Sequence, residues 1–206
     1  MKHLCLYDVV DRCYNRVNMK KLIVKSQLVD RAKFDRKLAN IGMELAPAIW
    51  QHERVYVTHD YRPRMNYPRL MLRTEVVAAD QPARYALRLK RHIEDSGADY
   101  VNSTLVADYT ETTMMIHQLG YRKLTEVSRQ RQELILDERT VLYLDTLEGV
   151  ALPFLKIEAE LTDEMSVEAV RKELFTSLEL LGLETFLMQT YAELMTEQMQ
   201  PYYLPK

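Results

Sequence analysis

The residues with most chemical content are cations on alternate positions of short strand-like segments. KKLIVKSQL places Lys21, Ile23, Lys25 and Gln27 on one side and Leu22, Val24, Ser26 and Leu28 on the other. RLMLRTEVV (69–77) carries Arg73, and ARYALRLKR (83–91) carries Arg84, Arg88 and Lys90. VSRQRQE adds Arg129 and Arg131 with Glu133, and VLYLDT adds Asp145. FLKIEAEL (154–161) sets Lys156, Glu158 and Glu160 opposite Leu155, Ile157, Ala159 and Leu161. Arginine makes forked contacts to phosphate oxygens and lysine a point-charge contact. The acids gathered towards the later segments are the oxygen ligands a hard cation prefers.

Two arrangements account for such faces. An open sheet with one wet side shows mixed surface charge. A sheet closed on itself turns the charged side into an interior. Buried cations then have to be offset by carboxylates or by a bound polyanion, because unpaired buried charge is too costly. Here the signs sort by segment, several nearly all basic and the acids later, which favours the enclosed arrangement and a phosphate-rich ligand.

The elements that would position these residues follow from periodicity and turn chemistry. Strands are expected in KKLIVKSQL, QHERVYVTHDY (51–61), RLMLRTEVV, ARYALRLKR and YVNSTLV. Residues 124–149 read as a hairpin around a DER turn, followed by FLKIEAEL. Phe34, Leu38 and Ile41 predict a helix with Asp30 as its N-cap and Gly42 as its stop. DYTETTMMIHQLG (108–120) predicts a second, with Met114, Met115 and Leu119 as its apolar stripe. The C-terminal stretch starts at Ser166 as N-cap and is split into two helices by Gly182. The fold class is therefore α+β, with about eight strands in a mainly antiparallel sheet.

Composition excludes some functions. With 28 basic against 30 acidic residues there is no whole-chain charge to attract nucleic acid or a membrane surface. No apolar run reaches membrane-spanning length, and MKHLCLYDVVDRCYN makes a poor signal peptide. Cys5 and Cys13 form no disulfide framework and no Cys-x-x-Cys site, which fits a reducing cytoplasm. Residues 1–18 read as an extension or a start-site artefact, and 19–206 as one domain. His52, His59, His92 and His117 show no ligand spacing, and Ser103 and Thr104 lie near no His/Asp pair. Trp50 with Tyr56 could stack a ring or simply pack. LETFLMQTYAELM has apolar residues beyond one stripe, consistent with packing across the barrel or a homodimer contact.

The order of these motifs resembles the CYTH superfamily of triphosphate tunnel enzymes, which includes class IV adenylyl cyclases, thiamine triphosphatases and inorganic triphosphatases. The resemblance spans roughly residues 20–182, and QLGYRKLTEVSRQRQEL followed by VLYLDTLEG carries it most specifically. It implies an eight-stranded antiparallel β-barrel, a tunnel with peripheral and C-terminal helices, that binds a triphosphate-bearing small molecule. By resemblance Lys25, Arg73, Lys90, Arg129 and Arg131 match the family's phosphate-binding cations, with Arg88 on the same face as Lys90. Asp145 and Glu158 match its late acids, and Glu160 follows them on the same face. The family's Mg2+ or Mn2+ is implied with them.

The departures alter that implication. The acids of the family's E-x-E-x-K strand are Lys21 and Ile23 here, the central acid falls at Asn102, and the first acid of the late pair falls at Lys156. Lys21 and Lys156 then replace metal charge with ammonium charge, leaving Asp145, Glu158 and Glu160 to hold at most one ion. The expected function is a tunnel binding a polyphosphate, nucleotide or organic triphosphate with reduced or altered catalysis. The alternatives are an active triphosphatase or cyclase, and a non-catalytic interaction protein.

Overall fold

The computed structural model describes residues 19–61, 68–93, 97–183, 186–187 and 190–199. Residues 1–18, with both cysteines, and most of the RPRMNYPR loop lie outside the described residues.

Eight strands form the wall: β1 (Met19–Gln27), β2 (Ile49–Val57), β3 (Arg69–Val76), β4 (Arg84–Ile93), β5 (Ala98–Val106), β6 (Arg122–Ile135), β7 (Thr140–Leu147) and β8 (Phe154–Leu161). They close into a barrel in the order β1-β5-β4-β3-β2-β6-β7-β8. Every neighbouring pair is antiparallel. Two meanders, β2 to β5 and β6 to β8, are joined through β2 and β6, and β1 closes the ring between β5 and β8. The alternation read from the sequence is thus an inside and an outside.

The outside is apolar because helices cover it. Helix α1 (Arg31–Asn40) starts on Asp30, whose carboxylate accepts the Lys33 N–H at 2.8 Å. Helix α3 (Val167–Leu180) starts on Ser166, which accepts from Ala169 N–H. Phe34 and Leu38 of α1 and Val170, Leu174 and Leu178 of α3 share one core with Leu22, Val24, Leu142, Leu144, Leu155 and Ile157 of the wall. Each such side chain contributes about 1.5–3 kcal/mol when fully buried. Gly182, at φ 89°, ends the helical run, where an added Cβ would come within 3.2 Å of Lys37 Nζ.

Helix α2 (Tyr109–Gln118) corrects one expectation. Its buried residue is Ile116, which packs with Tyr56 and Leu72. Met114, Met115 and Leu119, the expected apolar stripe, are 53, 61 and 71% exposed. Ile116 alone of this helix is buried against the wall, and Tyr109 and Tyr121 pack beside it.

Helix α4 (Tyr191–Met199) packs against β6. Tyr191 packs with Val127, Leu147 and Phe154, and the Leu187 N–H donates to Lys25 O at 2.8 Å. These contacts are packing within one chain, and the homodimer role expected of this stretch is untouched by them. Among the described residues no helix is long and apolar enough to cross a membrane.

Candidate functional site

Strand register brings the sequence-predicted cations into one interior. Lys25 lies opposite Lys156, Met71 opposite Arg88, Arg69 opposite Lys90, and Arg131 opposite Asp145. Because side chains alternate, Lys21, Lys25, Arg73, Arg88, Lys90, Arg129, Arg131, Lys156, Glu158 and Asp145 all share the inward face.

The middle of the tunnel is a belt of paired charges. Glu53 of β2 accepts from Arg73 Nε at 2.7 Å and from Arg129 Nη1 at 2.9 Å. Gln51 bridges onward, accepting from Arg129 Nε at 2.9 Å and donating to Glu75 at 2.5 Å. Glu75 also accepts from Arg73 at 3.1 Å. Asp145 takes both arms of a fork from Arg131 at 2.6 Å and the Tyr191 hydroxyl at 2.9 Å. Burial works against the Asp145 charge, yet Arg131 and Arg129 hold its pKa at about 2. Glu53 is likewise held well below the usual carboxylate range, burial being outweighed by Arg129, Arg73 and Arg88.

Beside the belt, towards α4, lies a chamber of about 90 Å3. At roughly 10–15 Å3 per water this admits several waters or a compact anion. Lys25, Arg69, Arg73, Arg88, Lys90, Arg129 and Lys156 line it, against the carboxylates Glu53 and Glu158, so seven cations face two acids. Other acids hold some of these cations from outside the lining. Lys90 pairs with Asp99 at 2.7 Å, and Arg69 with Glu193 of α4 at 3.2 Å. Lys156 pairs with Glu158, which also accepts from Lys21 at 3.2 Å.

Lys25 differs from its neighbours. Among the described residues it makes no ion pair, and its Nζ sits 5.6 Å from the centre of the Tyr191 ring. Burial first, then Lys90, bring its pKa down to about 7, against the opposing influence of Asp99 and Glu193. Lys156 is also brought to about 7 by burial, although Glu158 favours its charge. Arg88 reaches Glu53 only at 3.6 Å, and burial and Arg73 lower its pKa.

The three acids expected at a metal do not converge. Asp145 is taken up by Arg131 and Tyr191, and Glu158 by Lys21 and Lys156. Glu160 lies opposite Lys21 in the β1–β8 register. Among the described residues no three His, Cys, Asp or Glu side chains are grouped for a metal. A hard divalent cation needs several oxygen ligands. Donors already committed to guanidinium and ammonium groups do not fit it.

Asn102, the position expected for the central acid, is placed differently. It lies opposite Leu89 and borders an outer groove with Leu89, Arg91 and Tyr100. Asp99, Val101 and Ser103 are the β5 residues on the inward side, and Asp99 supplies the acid there. Trp50 stacks on His52 outside the barrel, and Tyr56 is buried under α2 beside His117, so neither reaches the chamber.

Sequence reading missed Glu53, Glu75, Asp99, Arg69, Tyr191 and Glu193. The period-two rule applied to QHERVYV and RLMLRTE would have found Glu53, Arg69 and Glu75, because each lies two positions from another inward residue. Asp99 was hidden in the turn-like EDSGAD. Tyr191 and Glu193 arrive from a distant helix and leave no local signal.

No protein-family model and no curated protein matches the sequence. Solved structures do match. A Pyrococcus horikoshii protein superposes with TM-score 0.74 at 17% identity, covering 86% of this chain and 99% of that one. A candidate adenylate cyclase from Vibrio parahaemolyticus gives 0.71 at 16%, covering 85% and 97%. A candidate adenylyl cyclase from Hippeastrum, described as having a dominant triphosphatase activity, gives 0.56 at 14%, covering 88% and 96%. At these identities the likeness is one of fold. The eight-stranded tunnel expected from the CYTH resemblance is the fold found.

Proposed function

We propose that the chain is a CYTH-like tunnel protein that binds a compact polyanion of the phosphate class, such as tripolyphosphate or the triphosphate of a larger molecule, without a metal. The observation that carries this reading is the buried Lys25, without an ion pair among the described residues, in a chamber where seven cations face two carboxylates. A buried cation without a partner costs several kcal/mol, which a bound anion would offset. Arg73, Arg88 and Arg129 would present guanidinium forks to phosphate oxygens, and Lys25, Lys90 and Lys156 point charges. Lys21 and Lys156 hold Glu158 where the resemblance implies a metal, so ammonium groups take that part.

Positioning and charge neutralisation are also the main contributions to phosphoryl transfer. Hydrolysis or cyclisation of a triphosphate is the second reading, favoured by the fold shared with the Vibrio and Hippeastrum proteins. Calorimetric titration with inorganic tripolyphosphate in EDTA, with phosphate release followed in parallel, separates the two. Saturable heat without phosphate release supports the metal-free binding reading. Heat and turnover that appear only with manganese support the enzyme and contradict the metal-free site.

A further inference from the structure

The chamber contains an amine placed to react as well as to bind. Lys25 is 7% exposed; Lys90 of β4 and Arg69 of β3 act on it as neighbouring cations, and Lys156 is its cross-strand partner on β8. Asp99 of β5 and Glu193 of α4 also act on it, but each is engaged by another cation, Lys90 and Arg69 respectively. Tyr191 of α4 presents its ring face rather than its hydroxyl, which is donated to Asp145. Desolvation and neighbouring cations are the two influences that keep a lysine amine neutral and nucleophilic near pH 7. Both act on Lys25, consistent with its pKa near 7. Arg73, Arg88 and Arg129 line the same chamber and offer phosphate forks.

We propose that Lys25 forms an imine with small phosphorylated aldehydes, the phosphate held by the chamber's arginines and the carbonyl carbon facing Nζ. The inference rests on the anion-binding reading and names a ligand class for that site. The Nζ lone pair adds to the carbonyl carbon, forming a C–N bond and, after proton transfer from nitrogen to oxygen, a carbinolamine. Loss of the second amine proton with the hydroxyl group, as water, leaves the neutral imine. No oxidant or metal enters the balance.

The test uses the full chain, glyceraldehyde 3-phosphate and borohydride, which reduces any imine to a stable secondary amine that peptide mass spectrometry locates. At pH 7.5 Lys25 should carry about tenfold or more the modification of exposed lysines such as Lys33, Lys123 and Lys172, which lie outside the chamber. Unphosphorylated glyceraldehyde should lose this selectivity, and tripolyphosphate should protect Lys25. Modification spread over the exposed lysines with Lys25 untouched overturns the inference. If tripolyphosphate binds in the calorimeter while Lys25 stays unmodified, the imine fails and the anion site stands. If Lys25 is modified equally by both aldehydes and is unprotected, its reactivity stands and the anion site fails. The mapping is made on the unaltered chain, so it does not depend on a variant folding; Lys25→Met serves to confirm the assignment.

Discussion

The belt around Glu53 and the chamber around Lys25 share one tunnel and many of the same side-chain types, yet they differ in what their charges meet. In the belt, Glu53 and Asp145 hold Arg73, Arg129 and Arg131 at hydrogen-bonding distance, and Gln51 closes the remaining gaps. In the chamber, Lys25 has a ring face in place of a carboxylate, and Arg88 has one carboxylate at 3.6 Å. A paired buried charge serves the fold. A buried charge left short of partners costs stability and is retained where a ligand completes it. Glu53, Arg73 and Arg129 belong to both regions, paired in the belt and lining the chamber, so the contrast is sharpest at Lys25.

The sharpest way to break the contrast is to remove a belt acid. Glu53→Gln leaves Arg73, Arg129 and Arg88 around a neutral group, and unfolding stability should fall by about 3–5 kcal/mol in urea melts. The corresponding change in the chamber should go the other way. Lys25→Met removes an uncompensated cation, so the free protein should become more stable by about 1–2 kcal/mol. The same variant should bind tripolyphosphate about tenfold more weakly by calorimetry, the loss of one charge-assisted contact. A destabilised Lys25→Met with unchanged affinity would place Lys25 in the belt class.

Acidity divides the two regions next. Asp145 titrates near 2 in the fold against an ordinary value of 3.8, so its contribution is present above about pH 4 and is lost as pH falls towards 2. Lys25 and Lys156 titrate near 7 in the fold against 10.5, so between those values the unfolded chain binds more protons and stability rises with pH. Melting temperatures from pH 2 to 10 should therefore climb twice. Lys25→Met should shrink the alkaline climb and spare the acid one. The smallest effect is expected outside the tunnel: Trp50→Ala should change stability by less than about 1 kcal/mol and leave tripolyphosphate affinity unchanged, since Trp50 stacks on His52 at the surface.

How much of this was legible in the sequence follows the range of the interactions involved. Strand faces are set by period two, so KKLIVKSQL and FLKIEAEL gave Lys25, Lys156 and Glu158 their inward side correctly. The same rule fails where a segment looks like a turn: EDSGAD concealed Asp99, and the family resemblance put the central acid at Asn102, one residue out of phase with the inward side. A single step in a strand moves a side chain to the other face. Partner identity was not legible at all. That Glu53 would neutralise three arginines depends on β2 lying between β3 and β6, which only the closed topology specifies. The helix stripe of α2 was misread because Met114 and Met115 satisfy helical spacing as well as Ile116 does, and hydrophobicity alone does not say which face meets the wall.

The most direct test of the central claim, that this chamber holds a phosphate-class anion by side-chain cations alone, is the thermal stability of the intact chain titrated with tripolyphosphate in EDTA. The account predicts a saturable rise, about 2.7 kcal/mol at 100 times the dissociation constant. A melting temperature that stays flat in EDTA and rises only when manganese is supplied would contradict it.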